Sequence, residues 1–91
     1  MTPELSPDYV RGEIVAYVLA NHPSDHTAAT LPLNESLLEL GILDSYGVVE
    51  LVVFLENTWG IAIGEDEITK ERMGSIDKMT RLVLDKRRAA A

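Results

Sequence analysis

The segment from Ser45 to Trp59 constrains the fold of this chain most strongly, because it is apolar on two sides at helical spacing. One stripe recurs every four residues and comprises Leu51, Leu55 and Trp59. A second stripe, offset by about 200° around a helix, comprises Val49, Val53 and Asn57. A surface helix needs only one buried stripe. The segment therefore predicts a helix packed on one side, whose second stripe is covered by another element or left for a partner or cargo.

The length and composition of the chain predict one small globular domain spanning residues 1–91, with a core from about residue 4 to residue 88. The chain has 91 residues, of which 46% are hydrophobic, enough for one packed core. It has no cysteine, which excludes disulfides and thiolate metal sites. Any thioester chemistry would therefore require a thiol supplied from outside the chain.

A first helix is indicated by good capping chemistry and one apolar stripe. Ser6 suits the N-cap and Pro7 the first helical position. The stripe that follows comprises Val10, Ile14, Tyr17 and Val18. Pro23 should end this helix, since the residue before a proline avoids the helical region.

A long connection of residues 21–43 follows, and connections of this length in small domains are often functional. Seven apolar residues should pin its second half onto the core: Leu31, Leu33, Leu37, Leu38, Leu40, Ile42 and Leu43. Residues 36–40 could add one brief helical turn.

The remaining segments complete an all-α fold. Gly60 should end the second helix, and a short third helix should run from Gly64 to about Arg72. Ser75 should cap a last helix whose three terminal alanines fray. Its inward side chains should be Ile76, Met79, Leu82 and Val83. The predicted fold is a four-helix bundle with a short third helix and a long loop between helices 1 and 2.

Charge argues against nucleic acid as the main partner, because the formal net charge is −7. Residues 1–69 carry 12 acidic side chains and one basic one, whereas residues 70–91 carry seven basic and three acidic ones. Such a field steers association with basic partners, or it simply keeps a small domain in solution. No apolar run is long enough for a membrane span, and the first residues do not resemble a signal peptide. We expect a cytoplasmic monomer.

Catalytic and metal sites are poorly supported. His22 and His26 flank Pro23, so no helix can present both to a metal ion. Ser45 lacks the Gly-x-Ser-x-Gly elbow of a hydrolase, and no base lies near it in sequence. We expect no metal and no active site, and a hydrolase would need one of the two histidines to fold back onto Ser45.

Ser45 nevertheless stands out, because it follows the long loop and opens the most apolar helix. Asp44 and Ser45 could be a simple helix cap. A helix N-terminus also favours a phosphate ester on the serine oxygen. The Asp44 carboxylate could help to position a metal ion during phosphoryl transfer to that oxygen.

The chain resembles the acyl carrier protein family, in which an Asp-Ser-Leu triplet opens the second helix. The resemblance covers residues 4–88 and rests on spacing over some forty residues. It is carried by Leu38-Glu39-Leu40-Gly41-Ile42-Leu43-Asp44-Ser45-Tyr46, by Val49-Glu50-Leu51, by Leu55-Glu56 and by Trp59-Gly60-Ile61. It implies a carrier, not an enzyme, whose Ser45 bears 4′-phosphopantetheine and whose neighbour is Asp44. A phosphopantetheinyl transferase would attach this arm from coenzyme A with Mg²⁺, and other enzymes would load and unload acyl or aminoacyl thioesters.

The resemblance also implies roles for other residues. A partner-facing side of the second helix is formed by Val49, Glu50, Val53 and Glu56. Ile63 and Ile68 would line a cavity for the acyl chain, although ordinary core packing would also explain both.

The sequence departs from the family pattern at three positions, where Tyr46, Gly47 and Asn57 replace the usual leucine and two acidic residues. The Leu-Asp-Ser-x-Gly run resembles D-alanyl and aminoacyl carriers, which favours a specialised carrier over the main fatty-acid one. The competing hypothesis is an acidic docking module that carries nothing and uses Ser45 only as a cap.

Overall fold

A computed structural model describes residues 6–22 and 26–90 as four helices. They are α1 (Pro7–Asn21), α2 (Ser45–Trp59), α3 (Lys70–Met73) and α4 (Ile76–Ala90), with a 3₁₀ turn at Glu65–Glu67. No strand occurs in these two described ranges, so the predicted all-α bundle with a short third helix is confirmed. The predicted start of the core at residue 4, the role of Pro23 and the fraying of Ala91 concern residues outside the described ranges.

Helix α1 forms as its capping residues predict. The Ser6 hydroxyl oxygen accepts a hydrogen bond from the Tyr9 N–H at 3.0 Å, and Pro7 occupies the first turn. Val10, Ile14 and Val18 have no exposed surface. The buried face of α1 packs against α4.

Helix α2 buries its first stripe and exposes its second. Leu51, Leu55 and Trp59 belong to the core. Gly60 ends the helix in the left-handed region, with φ of 62°, and its N–H donates to the Glu56 carbonyl. Other residues adopt this conformation only with strain, which explains why a glycine stands here.

The loop between α1 and α2 is anchored by fewer leucines than the sequence indicates. Leu31, Leu37 and Leu43 are buried. The prediction was wrong for Leu38 and Leu40, which are 49% and 46% exposed. Residues 37–41 form hydrogen-bonded turns, one of them from the Leu40 N–H to the Ser36 carbonyl, and no helix. With Leu37 turned inward, its neighbours on this tight turn face outward.

The third helix is interrupted, contrary to the prediction of one helix from Gly64 to Arg72. A 3₁₀ turn at Glu65–Glu67 and the separate α3 are divided at residues 68–69. Thr69 explains the break, because its hydroxyl accepts from the Arg72 N–H at 3.3 Å. A threonine in this role starts a new helix instead of continuing the previous one.

Helix α4 organises the bundle, because it packs against all three of the other helices. Ser75 caps it, accepting from the Lys78 N–H at 3.2 Å. Its inward side chains are buried as predicted: Ile76, Met79, Leu82 and Val83. The helix continues through Ala90, so the fraying predicted for the alanines is not seen at positions 89 and 90.

Candidate functional site

The hydroxyl-bearing Ser45 lies exposed at the first position of α2, immediately after the residue that caps the helix. Asp44 is that cap. Its backbone is extended, and its Oδ1 accepts a hydrogen bond from the Gly47 N–H at 2.7 Å. The Asp44 carbonyl accepts from the Val48 N–H at 3.0 Å. Sequence reasoning placed both residues correctly, because capping depends on local chemistry.

The first turn of α2 retains capacity to bind an anion. The N–H groups of Ser45 and Tyr46 have no acceptor among the described residues. Such unpaired N–H groups and the helix dipole favour negative charge at this end of a helix. A phosphate ester on the Ser45 oxygen would lie beside these donors.

The second stripe of α2 is open to a partner. Val49 is 56% exposed and Val53 49% exposed, while Tyr46 at the start of the helix is 71% exposed. Glu50 is exposed as well. These four side chains therefore form a continuous outward face of α2, with apolar contacts and one acidic group.

Glu56 is arranged differently from the other predicted partner residues. It is only partly exposed, and its Oε2 accepts a hydrogen bond from the Ile63 N–H at 2.9 Å. Its carboxylate therefore holds the segment that follows α2. Sequence reasoning missed this role, because nothing local indicates a contact seven residues away.

An open groove between α1 and α2 continues the outward face, and its walls include Tyr17 and Phe54. These two rings stack with centroids 4.2 Å apart. Burial raises the pKa of the Tyr17 hydroxyl, and the nearby charge of Glu50 raises it further. A phenol beside a carboxylate thus lines the groove.

A second cavity of about 210 Å³ lies between the long loop and α3. Ile68 lines it, whereas Ile63 is 9% exposed and belongs to the core without lining this cavity. The other apolar lining residues are Leu37, Leu38, Leu43, Val48 and Met73. Leu38 was predicted in the core, and its outward position is what brings it to the cavity wall.

The structure brings one histidine to the first turn of α2. A Cβ atom at Gly47 would lie 2.8 Å from Cε1 of His22. Gly47 is buried and Ser45 exposed, and two residues along a helix differ by about 200° in direction. The imidazole therefore contacts the inner side of the turn, so the contact does not make it a base for the outward Ser45 hydroxyl.

Neither a metal-binding cluster nor a membrane-spanning helix occurs within residues 6–22 and 26–90. No three side chains of His, Asp or Glu in these ranges are grouped so that they could hold a metal ion. None of the helices described is both long and apolar enough to cross a membrane.

Comparison with known proteins decides the family. The D-alanyl carrier protein of Streptococcus sanguinis strain SK36 is 35% identical to this chain over 57 residues, which are 63% of this chain and 72% of that protein. The chain belongs to the acyl and aminoacyl carrier protein family. The D-alanyl carrier protein of Streptococcus uberis is 39% identical to this carrier over 46 residues, covering 50% of it and 58% of the relative.

A third relative agrees with these two. The D-alanyl carrier protein of Streptococcus pyogenes serotype M5 is 36% identical over 47 residues, 52% of this carrier and 60% of the relative. No family model matches the sequence. The family that the sequence resembles is thus confirmed by relatives that match between half and about two thirds of this chain.

Proposed function

We propose that this protein carries aminoacyl or acyl groups as thioesters on a 4′-phosphopantetheine arm attached to Ser45. The observation that supports this most directly is the exposed Ser45 hydroxyl at the start of α2, beside the Asp44 cap. In the attachment step the Ser45 oxygen bonds to phosphorus of coenzyme A. The nucleotide part of coenzyme A leaves, and the hydroxyl proton passes to the transferase.

The physical chemistry of the site is compatible with a phosphopantetheine arm on Ser45. The unpaired N–H groups of the first turn favour the negative charge of a phosphodiester. The chain has no cysteine, so the arm supplies the thiol needed for a thioester. Asp44 keeps one carboxylate oxygen in the cap, and its exposed position would allow the other to help hold Mg²⁺ during transfer.

The names of the relatives support one class of cargo over another. Three proteins with 35%, 36% and 39% identity are named D-alanyl carrier proteins. We propose an aminoacyl or other specialised cargo in preference to the long chains of general fatty-acid synthesis. The cavity lined by Ile68 would shelter part of such a cargo, while Ile63 would support the wall from the core.

The partners would be a phosphopantetheinyl transferase and the enzymes that load and unload the arm. We propose that they dock on the outward face of α2, through Val49, Glu50 and Val53, with Glu56 at its edge. The protein itself would be the substrate of these enzymes and not a catalyst. We propose that the protein is a monomer of one domain. We place it in the cytoplasm, because coenzyme A must be available where the arm is attached.

The test is the intact mass of the protein after incubation with coenzyme A, Mg²⁺ and a broad-specificity transferase. A gain of one phosphopantetheine that is absent in Ser45→Ala supports the proposal. Ser6→Ala is the matched control, since Ser6 also stands at a helix N-terminus, and it should gain the same mass. No gain with several transferases would leave the acidic docking module as the better hypothesis.

A further inference from the structure

His22 and Gly47 meet where the end of α1 contacts the first turn of α2. A Cβ atom at position 47 would lie 2.8 Å from the His22 Cε1, closer than two carbon atoms approach without strain. The same Cβ would lie 3.2 Å from Oδ1 of Asp44 and 3.3 Å from Cδ2 of Leu43. The missing side chain at Gly47 therefore makes room for the imidazole, the cap and a core leucine together.

The position of the His22 imidazole is energetically unfavourable for one of its nitrogen atoms. Its Nε2 is buried and has no hydrogen-bond partner within residues 6–22 and 26–90. Buried polar atoms normally have one, and a lone one destabilises the folded state. The ring also lies 6.2 Å from the Tyr17 ring, measured between centroids. At this position the Nε2 atom contributes no hydrogen bond, and the ring packs between Tyr17 of α1 and the first turn of α2.

The contact reaches the residues of the proposed attachment site. The Gly47 N–H donates to the Asp44 carboxylate, so the backbone that touches His22 is the backbone that holds the cap. Ser45 lies between these two residues in the same turn. A side chain added at position 47 would be pushed away by the ring, and removal of the ring would let Gly47 move into the empty space. Either movement would displace Asp44 and Ser45 as well.

We propose that His22 is a positioning residue for the modification of Ser45. Its ring supports the inner side of the first turn and sets where the outward hydroxyl stands relative to the N–H groups of the helix end. This inference rests on the proposed function, because the reaction that it affects is the transfer of phosphopantetheine to Ser45. His22 acts through the backbone, and it is not a catalytic residue.

The experiment is a cycle of three variants: Gly47→Ala, His22→Ala and the double variant. Initial rates of arm transfer are measured against carrier concentration with one transferase, and thermal unfolding is recorded for each protein. Two matched controls report the cost of the substitution itself. Gly12→Ala places a methyl group in α1 where nothing lies within 4 Å, and His26→Ala removes the other histidine.

Gly47→Ala should lower kcat by about tenfold with a smaller change in KM, because the docking face on α2 is untouched while the hydroxyl is displaced. His22→Ala should lower kcat by about threefold. The double variant should regain most of the loss of Gly47→Ala, since the methyl group then fills the space of the ring. Both controls should match the wild type in kcat and KM.

Two outcomes would overturn the inference alone. One is a double variant whose loss equals the product of the two single losses, and the other is a Gly47→Ala protein that reacts like Gly12→Ala. If Gly47→Ala does not fold, the kcat of His22→Ala is compared with the kcat of His26→Ala. Equal values would refute the positioning role. If the wild type never gains mass, the proposed function fails and the inference fails with it.

Discussion

Glu56 and Ile63 are joined across the end of α2, where the Glu56 Oε2 accepts the Ile63 N–H at 2.9 Å. This bond folds the chain back after Gly60 and holds the segment that leads to the 3₁₀ turn. A residue expected on the partner-facing side of α2 therefore also maintains the fold. Stability and docking must be measured separately when it is changed.

Replacing Glu56 by alanine should lower the free energy of unfolding by about 1–2 kcal/mol, because the half-buried Ile63 N–H loses a charged acceptor. Urea unfolding at neutral pH measures this. Glu50→Ala is the matched control, since Glu50 is exposed on the same helix, and it should change stability by less than about 0.5 kcal/mol. Equal effects of the two substitutions would show that the bond to Ile63 contributes nothing.

Two adjacent valines of α2 lie in different environments, Val52 in the core and Val53 on the outward face. Val52 is 7% exposed and Val53 49% exposed. Val52→Ala should cost about 1–3 kcal/mol of stability, because buried methyl groups are lost. Val53→Ala should cost less than about 0.5 kcal/mol but raise the KM of the transferase or a loading enzyme for the carrier. An unchanged KM for every partner tried would argue against docking at Val53.

Substitution of Gly60 should lower the stability of the protein for a purely conformational reason. Its φ of 62° is left-handed, and no atom lies within 4 Å of the position where a Cβ would stand. Gly60→Ala should therefore destabilise the protein by about 1–2 kcal/mol through backbone strain alone. Gly12→Ala, inside α1 and equally free of neighbours, should instead stabilise it by about 0.5–1 kcal/mol. Thermal melts of both variants test the contrast.

Acid should remove one contribution to stability at Glu67. The pKa of Glu67 is lowered first by the hydrogen bond from Lys86 and then by the one from the Gly64 N–H, and the charges of Lys86 and Arg72 lower it further. A carboxylate with a lowered pKa stabilises the fold fully above its ordinary pKa and loses that effect as pH falls through the lowered value.

The wild type should therefore melt higher than Glu67→Gln at neutral pH, and this difference should shrink as the pH falls below the ordinary range of a glutamate. Melting curves at a series of pH values measure the difference. Glu65→Gln, at an exposed position two residues earlier, provides the comparison. A difference that stays constant down to strongly acidic pH would contradict the assignment.

Local chemistry explains why much of the fold could be predicted. Ser6, Asp44 and Ser75 each accept a backbone N–H three residues ahead, and Gly60 takes the left-handed conformation. Each feature depends on a few adjacent residues, so the sequence shows it directly. The position of Ser45 in the candidate site could be predicted for the same reason, because Ser45 directly follows the Asp44 cap.

The errors concern contacts between distant parts of the chain. Leu37 and Leu38 are equally apolar, and only the turn around them decides that one is buried and the other exposed. The break before α3 is the exception, because it depends on a local contact in which the Thr69 hydroxyl accepts from the Arg72 N–H and so starts a new helix. The approach of His22 to Gly47 joins residues 25 positions apart, and no periodic pattern encodes it.

The dependence of the whole bundle on α4 has a consequence for how the protein is made. The other three helices precede α4 in the chain, yet each packs against it. On the ribosome, α1 to α3 emerge while the helix that covers their apolar sides is still being synthesised. The core of the bundle therefore cannot close until α4 has also left the exit tunnel, so Ser45 stands at the start of a fully packed α2 only after that point.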